Sequence, residues 1–328
     1  MPAGDPVSDP AVLRHVIDAI TPASGAHAEA ARRRVAGAGA PLLERLAAAL
    51  GAAQHTDRPR SARRTLVVCA ADHGVGDPGV ALGGAHPTVI AAHAIADGSA
   101  ALAQLARAGR APIVLVDAGA CEAGELPASA IRLGRGPSRN LMHEPAMTVV
   151  DAALVLEAGI ALAVALADDG LDLVAVGAIG VGAEVASAAL LGAALGAPLT
   201  GLGDPVAEAA SARGAELAGA GGLALLAAFG GPETGVLAGL MLAAASTNVP
   251  VILDSYATGA AALVAAMFAP DAAGYLVAAH AGAFTHARIL AHLGLHPVLE
   301  LGLGHGEGTG AALVLPLVDH VAALASRR

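Results

Sequence analysis

Lysine is missing from all 328 residues, so every one of the 18 basic side chains is an arginine. The net charge is −10, which argues against a polyanionic partner such as nucleic acid, though backbone N–H groups can still hold a single phosphate. Tryptophan is also absent and aromatic residues make up 2%, so the stacking platforms used on unpaired bases are not available. The core must instead come from Ala, Val, Leu and Ile within an apolar share of 55%. Two cysteines, Cys69 and Cys121, are too few for a disulfide framework and neither belongs to a Cys-x-x-Cys pair. They point to a reducing, cytoplasmic compartment and to no metal site of that kind. The first ten residues, MPAGDPVSDP, are polar and broken by proline, unlike a signal peptide.

The mean hydropathy of +0.65 raises the question of a membrane span. The window Thr234 to Leu253 carries one charge-free run of sufficient length. Much of it is Ala and Gly, and it contains Ser246-Thr247-Asn248-Val249-Pro250, which reads as a loop. Arginine is absent from 140 to 212 and from 214 to 287, so basic flanks that orient spans are lacking. The expectation is a chain without membrane association.

Short β-branched runs alternate with longer Ala/Leu-rich segments. Strands are expected at Thr65–Ala70, Pro112–Val116, Leu173–Val176, Pro250–Leu253, Tyr275–Ala278 and Pro297–Leu301. Helices are expected at Ser99–Ala108, Val150–Asp168, Pro205–Leu217, Thr234–Ala245, Thr258–Phe268, Phe284–Leu293 and Gly310–Ala325. Near-continuous hydrophobic strands between helices imply an α/β fold, with a parallel, Rossmann-like sheet covered on both faces. Residues 1–60 and 310–328 are read as a small helical subdomain, and 61–309 as the α/β domain with its cleft at the strand carboxyl ends.

Polar signals collect at those ends, where open parallel sheets bind ligands. They are Asp72-His73-Gly74, Asp117-Ala118-Gly119, the run Gly177 to Gly182, Asp254-Ser255-Tyr256, His280, and the run Gly302 to Gly310. Gly177, Gly180 and Gly182 frame a strand-to-helix turn. It suits either a phosphate cradle or tight packing, and it matches neither the Walker sequence nor the dinucleotide spacing. Asp72 is either a ligand contact or a helix cap. His86 and His93, seven apart, suit pocket or packing roles better than a metal. Asp254 ends a buried strand and needs a partner, either a ribose hydroxyl or a backbone N–H. Glu307 stands alone among alternating glycines. The backbone there can come close to a ligand and leave the carboxylate free to take a proton.

Residues 301–316, LGLGHGEGTGAALVLP, resemble the C-terminal signature of the nicotinate-nucleotide–dimethylbenzimidazole phosphoribosyltransferases, which activate the lower-ligand base of cobalamin. Further matches follow in family order. They include Ala71-Asp72-His73-Gly74-Val75, Arg139-Asn140, Pro145-Ala146-Met147-Thr148, the Gly177 to Gly182 turn, Thr200-Gly201, Phe229-Gly230-Gly231 with Glu233, Asp254, and Ala279-His280. The resemblance implies a homodimer that moves phosphoribose from nicotinate mononucleotide to a benzimidazole-type base, with no cofactor or metal and only small-molecule partners. It places the general base on Glu307. It places substrate contacts on Asp72, His86, His93, Gly177, Gly180, Gly182, Arg213, Asp254, His280, Leu303, His305, Gly306 and Gly308. The chain departs from the family pattern at the glycine turn, where Ala178 replaces Glu and Ala183-Glu184-Val185 replaces Asn-Thr-Thr. Arg213 is the candidate stand-in for the missing phosphate-side lysine. A leucine becomes His305, an arginine becomes Gly304, and the base-pocket glutamine becomes His93. The alternative these departures motivate is a non-catalytic or partner-dependent homologue that binds an azole base or nucleotide.

Overall fold

β-Branched runs form the strands of this chain, and alanine-rich runs form helices on either side of them. The computed structural model describes residues 10–76, 86–120, 124–168, 170–282, 284–303 and 306–327. It begins with α1 (Ala11–Ala19), α2 (Gly25–Val35) and α3 (Pro41–Ala53). Then come β1 (Arg64–Ala71), α4 (Pro87–Asp97), α5 (Ala101–Ala108), β2 (Ile113–Gly119), β3 (Ile131–Arg132) and α6 (Val149–Ala167). The second half holds β4 (Leu173–Ile179), α7 (Ala183–Leu195), α8 (Pro205–Glu216), α9 (Gly222–Phe229), α10 (Pro232–Ser246), β5 (Val251–Leu253) and α11 (Tyr256–Phe268). A 3-10 turn (Pro270–Tyr275) leads to β6 (Leu276–Ala278), followed by α12 (Phe284–His292) and α13 (Thr309–Ala325).

The described strands make one parallel sheet in the order β3-β2-β1-β4-β5-β6. Strand β1 is central, in register with β4 from Arg64↔Leu173 to Ala70↔Ile179 and with β2 from Leu66↔Ile113 onward. Alternate residues feed opposite faces, as the pleat demands. Val67, Cys69, Val174, Val176 and Leu253 join the core under α6, α7, α10 and α11. Leu66, Val68, Ala70, Leu173 and Ile252 join the core under α3, α5 and α13. The sheet is thus a middle layer between two helical ones.

One expectation is corrected. Residues 297–301 do not form a strand: Leu299 makes an isolated bridge to His280, and Leu301 is exposed as the chain turns toward the glycine-rich loop. The sixth strand is instead β3, two exposed residues paired to Val116 and Asp117 at the sheet edge. The loop expected at Ser246–Pro250 is present: α10 ends at Ser246 and a turn precedes β5, so the window 234–253 is not one helix. Residues Pro232–Ala245 of α10 are all buried. By length and composition, Pro87–Ala108 and α6 are apolar enough to cross a membrane. The first is interrupted between α4 and α5, and α6 lies against α10.

Helix α13 packs on α2, α3, α5 and β4. Its Asp319 accepts hydrogen bonds from Arg64 at 2.8 Å and from Ser61 at 2.7 Å, which ties the helix to the entry of β1.

Candidate active site

In this strand order the chain reverses direction across the sheet between β1 and β4, and a crevice opens at their carboxyl ends. Asp72, just past β1, knits the crevice together. Its Oδ1 accepts the Val181 N–H at 2.9 Å and the Thr88 hydroxyl. Its own N–H donates to the Gly119 carbonyl at 3.0 Å. His86 caps α4, accepting the Thr88 N–H at 3.3 Å, and its ring lies 3.8 Å from Asp72 Oδ2. The packing role open to His86 from sequence therefore has a structural counterpart, whereas the cap of α4 expected of Asp72 is supplied by His86.

His73 donates from Nε2 to Glu233 Oε1 at 3.1 Å, and both side chains are buried. Burial opposes charge on the His73 ring, but the Glu233 charge and this hydrogen bond outweigh it and raise the pKa. Burial likewise works against the Glu233 carboxylate, yet His73 and the Thr234 hydroxyl hold it below its ordinary value. The result is a buried ion pair between the loop after β1 and the first turn of α10. The sequence supplied both residues but not their pairing.

The glycine run begins inside β4 and not after it, because Gly177 pairs with Val68 in the ladder, and it does two jobs. Gly177 faces the Glu307 loop so closely that a Cβ there would lie 2.3 Å from the Glu307 carbonyl oxygen. Gly180 backs onto the Ala71 carbonyl, and Gly182 is the N-cap of α7 beside His73. Glu184 stands in the first turn of α7. Burial raises its pKa, and the Asp204 charge adds to that. Tyr256, at the start of α11, is pushed up by burial and then by the charges of Glu184 and Glu233. From sequence, Tyr256 is only the last member of a polar run and carries no role of its own. Its adjacency to Asp254-Ser255 at a strand end was the signal available.

Asp254 is fully buried. Its oxygens accept the N–H groups of Gly308 at 3.1 Å and Ala311 at 2.9 Å. Of the two partners considered for it, the backbone N–H is the one the fold supplies. Burial raises its carboxyl to about 6, against the lowering effect of Ala311, Gly308 and Gly310, and the nearby Glu307 charge raises it further. The Gly306 carbonyl accepts from Ala178 N–H at 3.2 Å and from the Ser255 hydroxyl at 3.4 Å. Glu307 itself is half-buried, and among the described residues no hydrogen bond or ion pair engages its carboxylate.

His280 sits beneath the start of α13, close to Gly310, with its ring centroid 5.9 Å from that of His286. Burial lowers the pKa of both, His286 to about 4 with the His280 charge as the next cause. Both rings are therefore neutral near pH 7. Leu303 is half-buried ahead of Gly306, and His305 lies outside the described residues. His93 is exposed and engages the Glu125 carbonyl at 2.9 Å, while Arg213 donates to the Leu141 carbonyl at 2.7 Å. Asp72, His86, Gly177, Gly180, Gly182, Asp254, His280, Gly306, Glu307 and Gly308 thus gather at the carboxyl ends of β1, β4, β5 and β6, whereas His93 and Arg213 are engaged elsewhere. Among the described residues no cluster of three or more His, Cys, Asp or Glu is arranged to hold a metal ion. A cavity of about 490 Å³ between α3 and the outer edge of β6 is mainly apolar, and none of these site residues lines it.

Chemically, among the described residues the crevice offers two carboxylates without a hydrogen bond or ion pair, Glu307 on a backbone pressed against the central sheet and Glu184 in the first turn of α7, together with glycine N–H groups at the N-terminus of α7. A family model described as phosphoribosyltransferase matches residues 20–327. The chain is 35% identical to the nicotinate-nucleotide–dimethylbenzimidazole phosphoribosyltransferase of Desulforudis audaxviator, over 95% of this chain and 94% of the relative. It is 35% identical to the enzyme of that name from Deinococcus radiodurans, over 98% and 94% of the two chains. Its fold is similar to the crystal structure of CobT from Thermus thermophilus, with a TM-score of 0.78 and 33% identity, covering 92% of this chain and 96% of that one.

Proposed function

The chain belongs to the family of nicotinate-nucleotide–dimethylbenzimidazole phosphoribosyltransferases, and on that premise we propose that Glu307 is the general base of its reaction. The reaction transfers phosphoribose from nicotinate mononucleotide to a benzimidazole-type base, in the making of the cobalamin lower ligand. The ring nitrogen of the base attacks the ribose anomeric carbon as the bond to the pyridinium nitrogen breaks. Nicotinate leaves with that electron pair and needs no proton from an acid. The azole N–H proton passes to the Glu307 carboxylate and then to water. Partial oxocarbenium character at the sugar carbon follows by analogy with glycoside chemistry.

The single observation that carries this reading is the state of Glu307: half-buried, without a partner among the described residues, and on a loop pressed onto β4. The Gly180–Gly182 turn and the start of α7 are the proposed seat of the phosphate. Glu184 in that first turn is the specific observation favouring the second reading, a homologue that binds an azole without transfer. Turnover with nicotinate mononucleotide and dimethylbenzimidazole separates the two. We expect Glu307→Gln to lower kcat by about 10³-fold, the scale of a lost general base. Undiminished turnover in that variant ends the assignment. Tight azole binding without any nicotinate release by the unaltered protein supports the second reading.

The same proposal takes in a homodimer, cytoplasmic placement and the division into a helical subdomain beside the sheet domain. The dimer is supported by the outward stripe of Val150, Leu154 and Val164 on α6. The compartment is supported by Cys69, which is free and buried.

A further inference from the structure

Glu307 lies in a loop held from two sides. On one side the Gly306 carbonyl takes the Ala178 N–H at the end of β4. On the other, Asp254 takes the N–H groups of Gly308, directly after Glu307, and of Ala311, in the first turn of α13. The side chain that makes this second hold comes from the end of β5 and is 0% exposed. No cation is paired with it among the described residues.

We propose that Asp254 is the positioning residue for the base: it fixes the Glu307 backbone by docking the N-terminus of α13 at the mouth of the cleft. The inference rests on the reading of Glu307 as the base. A carboxylate suits the task because two N–H groups converge on it and it presents two acceptor oxygens with no donor. The positive end of α13 favours the negative charge. An amide in its place would turn an NH₂ toward one of the two N–H groups and lose that contact. The loop has little slack on either side, because Gly306 abuts Ser255 beside Asp254 and Gly177 of β4 abuts the Glu307 carbonyl. Among the described residues, the charged and titratable groups facing Asp254 are Glu307, from the loop itself, and His280, from the segment after β6, whose ring lies against Gly310. His280 is held neutral by burial, so it does not compensate the Asp254 charge.

The geometry makes the hold depend on ionisation. With its carboxyl raised to about 6, Asp254 accepts both N–H groups above that pH and takes up a proton below it. The protonated oxygen then meets an N–H as a donor, and the loop is released. The acid side of the kcat profile therefore falls through the Asp254 ionisation.

Steady-state kinetics on the full chain, with nicotinate mononucleotide and dimethylbenzimidazole, tests this against Glu307→Gln as the reference. We expect Asp254→Asn to lower kcat about 100-fold, the scale of a base displaced by an ångström. Both KM values should stay within about threefold, because substrate binding is not what is lost. The fall in kcat near pH 6 should be missing from its profile. Wild-type kcat, or a reduced kcat with the wild-type acid limb intact, overturns the proposal. If Glu307→Gln is inactive while Asp254→Asn is fully active, the positioning role alone fails. If Glu307→Gln turns over normally, the assignment of the base falls and the positioning role falls with it. Amide hydrogen exchange on the unaltered protein gives a second measurement that does not depend on the variant folding. After correction for intrinsic rates, Gly308 and Ala311 should lose protection between pH 7 and pH 5 while amides within α10 do not. Equal behaviour of the two sets overturns the proposal.

Discussion

A single hydrogen atom on the α-carbon of residue 177 decides where the Glu307 loop rests. A methyl group there would lie 2.3 Å from the Glu307 carbonyl oxygen and 2.6 Å from its carbon, and neither backbone atom can step aside without moving the loop. Gly177→Ala should therefore leave the sheet intact and lower kcat by about 100-fold, read as turnover against thermal unfolding of the same sample. Retained turnover would show that the loop is compliant at this contact. The sequence marked both residues as belonging to the ligand edge, because glycine at a strand end and a lone acid among glycines are local signals. It left Asp254 with two possible partners, since the donors lie 54 and 57 residues further along the chain. His93 and His86 looked equivalent by spacing. One engages the Glu125 carbonyl at the surface and the other caps α4 beside Asp72, a distinction that only the fold makes.

At the scale of elements, the scarcity of large side chains becomes a packing mode. Helices α6 and α10 approach so closely that a Cβ on Gly159 would sit 1.9 Å from the Val236 carbonyl oxygen, and one on Gly239 would sit 2.0 Å from that of Leu156. Backbones in near contact bury area that bulky side chains would otherwise have to fill. The first turn of α10 also carries Glu233 to His73. Glu233→Gln leaves a buried imidazole without its counter-charge and should cost about 3 kcal/mol, measured by urea unfolding. The lowered Glu233 pKa gives stability present above its unfolded value and lost as pH falls through the folded one. The raised His73 pKa gives stability present below its unfolded value and lost as pH rises through the folded one. The gap between wild type and variant should therefore be widest between about pH 4.5 and 6.5 and narrow on either side. An unchanging gap across pH 4 to 8 would show that the pair is not ionised. Helices and long strands were legible because their periodicity is local. Strand β3 was not, since two exposed residues carry no pattern, and 297–301 misled because an apolar run can line an edge without joining the ladder.

Across the whole molecule, arginine–acid pairs fasten the amino edge of the sheet, while further acids collect at its carboxyl edge. Arg60 and Arg63 meet Asp172, and Arg64 and Arg110 meet Asp319, at the amino ends of β1 and β4. The carboxyl ends carry Asp72, Glu184, Glu233, Asp254 and Glu307. One edge fastens the layers, and the other holds Glu307 without a partner among the described residues. The outer face of α6 is the largest-scale expectation still to be measured. Val164 is 56% exposed on it. In sedimentation the wild type should run at twice the 31.6 kDa chain mass, and Val164→Glu should shift it toward the single chain. An unshifted variant would put the interface elsewhere. The sequence made the layered architecture legible through alternation alone, but a quaternary contact leaves no comparable period. The seat under Glu307 has one more consequence, for the order in which the protein matures. Both of its walls, the β4 terminus and Asp254, are synthesised well before the carboxylate that rests on them. A folding chain can thus complete its sheet while still chemically inert, and competence arrives as the closing, long-range act of assembly, when α13 docks.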